Sequence, residues 1–451
     1  MSFPVYESYK DSGQDWIGQV PRHWDVMPLK RDLLFLTSGS RGWADHYSDE
    51  GALFIRIGNL TRDSIKLDQT DIQRVAVPDG AEGERTRVRP GDVLFSITAY
   101  LGSVAVVPDD IETAYVSQHV ALARLRRLRL NPKWAAYVAL SHIGKTYLEM
   151  QGYGGTKIQL SLDDVAGMFM TVPPAHEQQA IAEFLDRETA KIDDLVAEQQ
   201  RLIKLLQEKR QAVISHAVTK GLDPAAPMKD SGVEWLGEVP AHWEVKRLKH
   251  ITPQLTVGIV VEPSKYYTDE GVPALRSLNV RQGRIEQDNF VFISPEANEL
   301  HSKSRLIAGD LVAVRTGQPG TTAVIPQDLD GCNCIDLIII RQPERGSSHY
   351  LCWYLASEAA VRQFTEGSGG AIQQHFNVST AADLIVAWPP SVEQPVISQF
   401  LDEESQKIDL LMAEAGSAIT LLQERRAALI SAAVTGKIDV RDVAIAAAEA
   451  A

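Results

Sequence analysis

Cysteine is scarce: Cys332, Cys334 and Cys352 are the only three in 451 residues. Three are too few for a disulfide framework, and a reducing cytoplasm is the expected compartment. No run of about 18 apolar residues is present, so no membrane-spanning helix is expected. Met1 to Gly13 carries Tyr, Glu, Lys and Asp where a signal peptide would carry an apolar core. There is no phosphate loop of the GxxxxGK(S/T) kind and no methyltransferase signature. No two-carboxylate or Ser/His/Asp arrangement can be argued from spacing. Cys332-Asn-Cys334 lacks the second ligand pair of a zinc site, and these thiols read as buried strand residues. No catalytic residue and no metal site is therefore expected.

Positive charge is also short. The formal net charge is −14, which argues against a bare basic clamp on nucleic acid. Its placement weakens that objection. Residues 176–210 carry 8 acids and 6 bases, and residues 391–426 carry 7 acids and 3 bases, so two segments supply −6 of the −14. One basic run, Arg124, Arg126, Arg127, Arg129 and Lys133, contains no acid and reads most simply as a solvated face. What the chain does have is apolar material, 44% of it, enough for large cores. Its length suggests about three domains.

The chain also repeats itself. DSGQDWIGQVPRHWDVMPLK (11–30) returns as DSGVEWLGEVPAHWEVKRLK (230–249), with 12 identities in 20 at an offset of 219. Residues 177–223 return as 393–439, with 26 identities in 47 at an offset of 216. Between these blocks only landmarks persist, among them Arg56 and Asn59 against Arg276 and Asn279, and Gly91-Asp92 against Gly309-Asp310. The period is too long for a solenoid and describes two tandem domain-plus-helix units. The frame is repeated, and what is mounted on it differs.

The thinly matched parts hold short β-rich runs separated by Gly, Pro and Asp, such as 92–98, 120–125 and 334–341, with helical stretches at 132–151 and 348–366. Each reads as an α+β domain of about 150 residues. The well-matched part is a long helix: 177–219 has no proline and no glycine. Alternating steps of 3 and 4 give Leu185, Glu188, Ile192, Leu195, Gln199, Leu202, Leu206, Lys209 and Val213, a heptad seam. The second copy runs Leu401, Glu404, Ile408, Leu411, Ala415, Ala418, Leu422, Arg425, Leu429. A helix of about 42 residues spans roughly 63 Å. Its obvious partner is its own copy, in antiparallel orientation. Such a pseudo-dimer has the approximate two-fold axis of a duplex and predicts two different half-sites, at most roughly 18 base pairs apart.

Three stretches carry a family resemblance: GVEWLGEVPAHWEVKRLK (232–249), PPSVEQ (389–394) followed by FLDEESQKID, and GDLVAVRTGQPGTTAVIP (309–326). With the order domain–helix–domain–helix, nearly the whole chain resembles the specificity subunit of type I restriction–modification enzymes. The resemblance implies an α+β fold with two tandem α/β target-recognition domains separated by two long antiparallel helices in a coiled coil. It divides the chain into 1–174 (first target-recognition domain with its Trp-rich segment), 175–228 (central helix and linker), 229–390 (second domain), 391–440 (C-terminal helix) and 441–451 (Ala-rich tail). It implies a non-catalytic reader of double-stranded DNA, cytoplasmic, with no membrane partner. Its partners would be two adenine-methylating subunits docked on the helices and up to two endonuclease subunits. S-adenosylmethionine, ATP and magnesium would enter through those partners, and adenines would be flipped from the stack.

DNA contacts are expected on loops whose backbone approaches phosphates and whose side chains reach base edges. The loop from Thr37 to Trp43 offers Ser38, Ser40 and Arg41; its counterpart around Thr256 has no arginine. Arg56 and Asn59, with Arg276 and Asn279, are candidates within β-like runs. Arg315, Thr316 and Gln318 sit in a Gly-Pro turn where the first copy has Thr98, Ala99 and Tyr100. Glycine clusters mark a third loop: Gly154, Gly155, Thr156 and Lys157 in one copy, and Gly369, Gly370, Gln373, Gln374 and His375 in the other. His23, His242 and the tryptophans of the repeated block read as structural anchors. Two other readings stay open: a stand-alone bipartite DNA-binding regulator, which the charge disfavours, and a scaffold with no DNA role, which leaves the divergent loops unexplained.

Overall fold

The computed structural model describes residues 3–77, 81–152, 159–318, 320–366 and 377–441. The chain forms two compact units, Met1–Gln200 with Gly416–Ala451, and Arg201–Ala415. Each unit therefore holds one pair of four-stranded sheets and one end of each long helix.

The two units share a topology. In the first, an antiparallel sheet orders Leu33–Ser38, Val120–Leu125, Val93–Ser96 and Val104–Val106. A second, mixed sheet orders Ala114–Val116, Ala52–Ile55, Gln73–Val75 and Tyr47–Ser48, with its first two strands parallel. The second unit repeats both. Leu255–Val257, Leu337–Ile340, Leu311–Val314 and Thr322–Val324 make the antiparallel sheet. Asn333–Cys334 runs parallel to Val272–Leu275 in the mixed one. The antiparallel sheet is covered on both faces, which is why its strands read as unbroken apolar runs. Alternate residues point to opposite sides. Ala121, Ala123 and Leu125 enter the core facing the helices, while Val120 and Leu122 enter the core shared with the mixed sheet. Ile338 and Ile340 against Leu337 and Ile339 do the same in the second unit.

The helical stretches at 132–151 and 348–366 each break once. Ser141 separates Pro132–Leu140 from His142–Gln151, its hydroxyl donating back to the Val138 carbonyl at 2.6 Å. Ser357 does the same to Tyr354 at 2.6 Å, between Ser348–Leu355 and Glu358–Glu366.

The long helices are Ala175–Lys220 and Gln394–Val434. Inside the first unit they run antiparallel: Ile181, Phe184 and Leu185 share a core with Ile430, Ala433 and Val434. Inside the second, Ile214, Ala217 and Val218 share one with Ile397 and Leu401. The seam is offset from the sequence expectation. Leu185, Ile192 and Leu206 are buried as expected, but Leu195 and Leu202 are 49% and 42% exposed. The companion positions lie one residue later, at Thr189, Val196, Ile203, Arg210 and Ala217, all buried or half-buried. The second copy shifts identically, to Ser405, Met412, Ile419, Arg426 and Ala433. The physical reason is polar pairing across the seam. Arg426 is nearly buried, ion-paired to Asp193 and to Asp63 at 3.5 Å, and burial lowers its pKa. Arg210 pairs with Asp409 at 3.4 Å and lies over the Trp353 ring.

The repeated Trp-rich segment clasps the start of each helix. Trp24 Nε1 donates to Glu177 Oε2 at 3.0 Å, and His23 Nε2 lies 2.8 Å from Glu177 Oε1. In the second unit Trp243 Nε1 donates to Glu393 at 3.0 Å and His242 lies 2.7 Å from it. Both tryptophans are fully buried, so each indole N–H needs such a partner. The clasp explains why His-Trp and Glu-Gln recur together.

Candidate nucleic-acid interface

In the first unit three turns meet around a cleft of about 370 Å³ lined by Ser38, Arg41, Thr98, Gln118, His119 and Gln159. The Thr37–Trp43 turn approaches the strand end at Ser117 so closely that a Cβ on Gly39 would lie 2.1 Å from the Ser117 carbonyl oxygen. Gly258 faces the Cys334 carbonyl at 2.5 Å in the same way. Only glycine fits at either place, so this crossing belongs to the frame. The second turn also has a shared shape: Ala99 and Gly317 both take a left-handed backbone, at φ 59° and 92°.

On that common frame the side chains differ. At the hairpin tip, Tyr100 is 56% exposed where the second unit presents Gln318, also exposed. Arg41 is exposed in the first turn, whereas the second unit exposes Val260 and Val261. Thr98 bridges to Gln159, which ties the tip to the segment after Gly154, Gly155, Thr156 and Lys157. Those four residues lie outside the described ones, as do Gly369, Gly370, Gln373, Gln374 and His375.

Several sequence candidates turn out to serve the frame. Ser40 is buried, its hydroxyl 2.8 Å from that of Thr86. Asn59 is buried with every polar atom occupied: Oδ1 accepts from Arg56 N at 2.9 Å, and Nδ2 donates to the Asp68 and Asp71 carbonyls. Asn279 repeats this with Arg276 N, Glu286 and Asp288. Both asparagines pin a loop, with their side-chain amides engaged within the chain. Arg56 is half-buried beside Asp68 and Asp71 in an acid-lined cleft, and Arg276 donates to the Asn289 carbonyl at 2.9 Å. The basic run is likewise engaged. Arg124 forks onto Asp92, Arg126 and Arg127 donate to the Leu33 and Pro90 carbonyls, Arg129 pairs with Asp25 and Lys133 with Asp186.

Three residues at the turns went unread: Gln118, His119 and Asp336. The signal was available. Ser117-Gln118-His119 is a polar break inside the apolar run 114–125, and Asp336 is a lone acid inside 334–340. Asp336 splits that run into strands Asn333–Cys334 and Leu337–Ile340 by taking a left-handed backbone at φ 51°. Among the described residues no group of His, Cys, Asp and Glu is placed to hold a metal. No described helix is long and apolar enough to cross a membrane.

A family model described as the type I restriction modification DNA specificity domain matches residues 55–205, from the strand Ala52–Ile55 into the central helix. The chain is 24% identical over 438 residues to a putative type I restriction enzyme MjaX specificity subunit of Methanocaldococcus jannaschii, covering 94% of this chain and 96% of that one. Residues 55–205 thus match a type I specificity domain, and nearly the whole chain is similar to a type I specificity subunit. The EcoKI specificity subunit of Escherichia coli is 23% identical over 309 residues, 66% of this chain and 62% of that one. The fold is shared with a chain solved in work on complex assembly and conformational transition of the type I R-M system. There the TM-score is 0.71 at 18% identity, over 93% of this chain and 99% of that chain.

Proposed function

We propose that this chain reads an asymmetric, bipartite target in double-stranded DNA, one half-site per unit, with an unread spacer between. One observation carries the reading: equivalent turns on a common frame hold Arg41 and Tyr100 in one unit and Val260 and Gln318 in the other. Matched turn shapes with unmatched side chains are what two readers of different sequences require. The long helices would hold the readers apart. At 1.5 Å per residue the 46-residue central helix is roughly 69 Å long, which bounds the spacer at roughly 20 base pairs.

The same helices would dock two adenine-N6 methyltransferase subunits and, through them, endonuclease/translocase subunits. Leu195, Leu202 and Leu205 on the central helix and Leu410, Leu411 and Leu421 on the C-terminal one are exposed, and exposed leucines in series suit a partner's apolar surface. S-adenosylmethionine, ATP and magnesium would be bound by those partners. They would also supply phosphate-neutralising charge that a chain of net charge −14 lacks.

The test is to co-express the chain with the methyltransferase subunit from its genomic neighbourhood and map methylated adenines genome-wide. The expected result is one split motif with a fixed spacer and methylation on both strands. No new methylation from a complex shown to have formed would sink the proposal.

A further inference from the structure

Resting on that reading, we propose that Arg315, held in orientation by Asp336, reads a guanine in the half-site of the second unit. The two residues stand at one end of neighbouring strands. Val314 and Leu337 are register partners; Arg315 follows the first and Asp336 precedes the second. Arg315 Nη1 donates to Asp336 Oδ1, with the Arg315 side chain 23% exposed and the Asp336 side chain 52% exposed.

Asp336 takes a left-handed backbone at φ 51°, a conformation that Asp adopts more readily than most residues with a Cβ. The surroundings enforce it. The Asp336 amide donates to the Ile259 carbonyl at 3.2 Å, and Ile259 N donates to the Cys334 carbonyl at 2.8 Å. The first turn thus grips the residues on which Asp336 stands.

The chemistry selects a base edge over a phosphate. A guanidinium is a planar fork that donates two parallel hydrogen bonds, and guanine O6 and N7 accept such a pair in the major groove. A carboxylate bonded to one nitrogen fixes the plane of the fork. The same carboxylate would repel a phosphate, so an arginine meant for the backbone would be poorly served by it. Thr316 and Gln318 occupy the adjoining tip, with Gly317 between them in its left-handed turn.

The first unit shows that the pair is a fitted option and not part of the frame. Its register partners are Ser96 and Val120, flanked by Ile97 and His119. Ile97 is 8% exposed and its amide donates to the His119 carbonyl at 3.1 Å. The two strand ends are thus joined there through the backbone, without an arginine or a carboxylate.

The experiment compares Arg315→Lys, Arg315→Ala and Asp336→Asn with the parent chain, each co-expressed with the methyltransferase subunit. Readouts are the methylated motif and the binding of the purified complex to duplexes varied one base pair at a time. Expected is a roughly ten- to hundredfold loss of preference for guanine at one position of one half-site in Arg315→Lys. Arg315→Ala should lose the same position, and Asp336→Asn should show a smaller loss there. The other half-site should be unaffected. Lysine preserves the charge and the ion pair but not the fork, so a merely structural arginine would be rescued by it. An unaltered motif in Arg315→Lys, or a uniform weakening across all duplexes in Arg315→Ala, overturns the assignment. If the parent chain yields a split motif while the variants retain it, only this inference fails. If the parent yields none, the reading beneath it fails as well.

Discussion

At the start of each long helix the two units use the same side chains: Glu177 with His23 and Trp24, Glu393 with His242 and Trp243. At the hairpin tips they use different ones, Tyr100 against Gln318, on turns of the same shape. The difference follows from burial. A buried indole whose N–H depends on one carboxylate tolerates no replacement, because either substitution leaves a polar group unpaired. An exposed tip touches little of its own fold, so changing it costs almost no stability. Duplication followed by divergence therefore leaves the clasps alike and the tips free to diverge.

The largest effect expected is from the clasp tryptophans. Trp24→Ala and Trp243→Ala should each destabilise their unit by about 3–5 kcal/mol in denaturant unfolding, and a marked inequality would break the equivalence of the two clasps. The carboxylates should separate the units instead. Glu177 is 3% exposed and also lies 3.5 Å from Arg441, whereas Glu393 is 37% exposed. Glu177→Ala should therefore cost about 3 kcal/mol and Glu393→Ala about 1 kcal/mol; equal costs would show that burial does not set the difference. Tyr100→Ala and Gln318→Ala should alter stability by less than about 0.5 kcal/mol. Each should relax the methylated motif in one half only, and an effect on both halves would contradict the division of labour. The smallest effect concerns the cysteines. All three are buried, and burial pushes the Cys332 and Cys352 thiols up to about 12. Iodoacetamide at pH 8 should label none of them until the chain is unfolded, because the thiolate is the reactive form.

The repeat and the long helices were legible because identity and period survive without any knowledge of contacts. The phase of the seam was not. Choosing leucines placed Leu195 and Leu202 inside, but the structure buries Thr189, Ser405 and Arg426, and Arg426 does so with partners, Asp193 and Asp63, far from it in sequence. The site was half-legible for a related reason. Asn59 and Asn279 were candidates within β-like runs, yet their recurrence in both copies goes with the common loop that each pins. Asp336 and His119 are legible as polar breaks in apolar runs, and strand register places them beside the hairpin tips.

The central claim, that the frame is common and each unit reads its own half-site, is tested most directly by exchange. Residues 24–174 are replaced by the corresponding segment of a homologous chain with a different motif, and methylated adenines are mapped with the same methyltransferase subunit. The account predicts a motif in which one half is new while the other half and the spacer are retained. A motif altered in both halves, or unaltered in either, would contradict it.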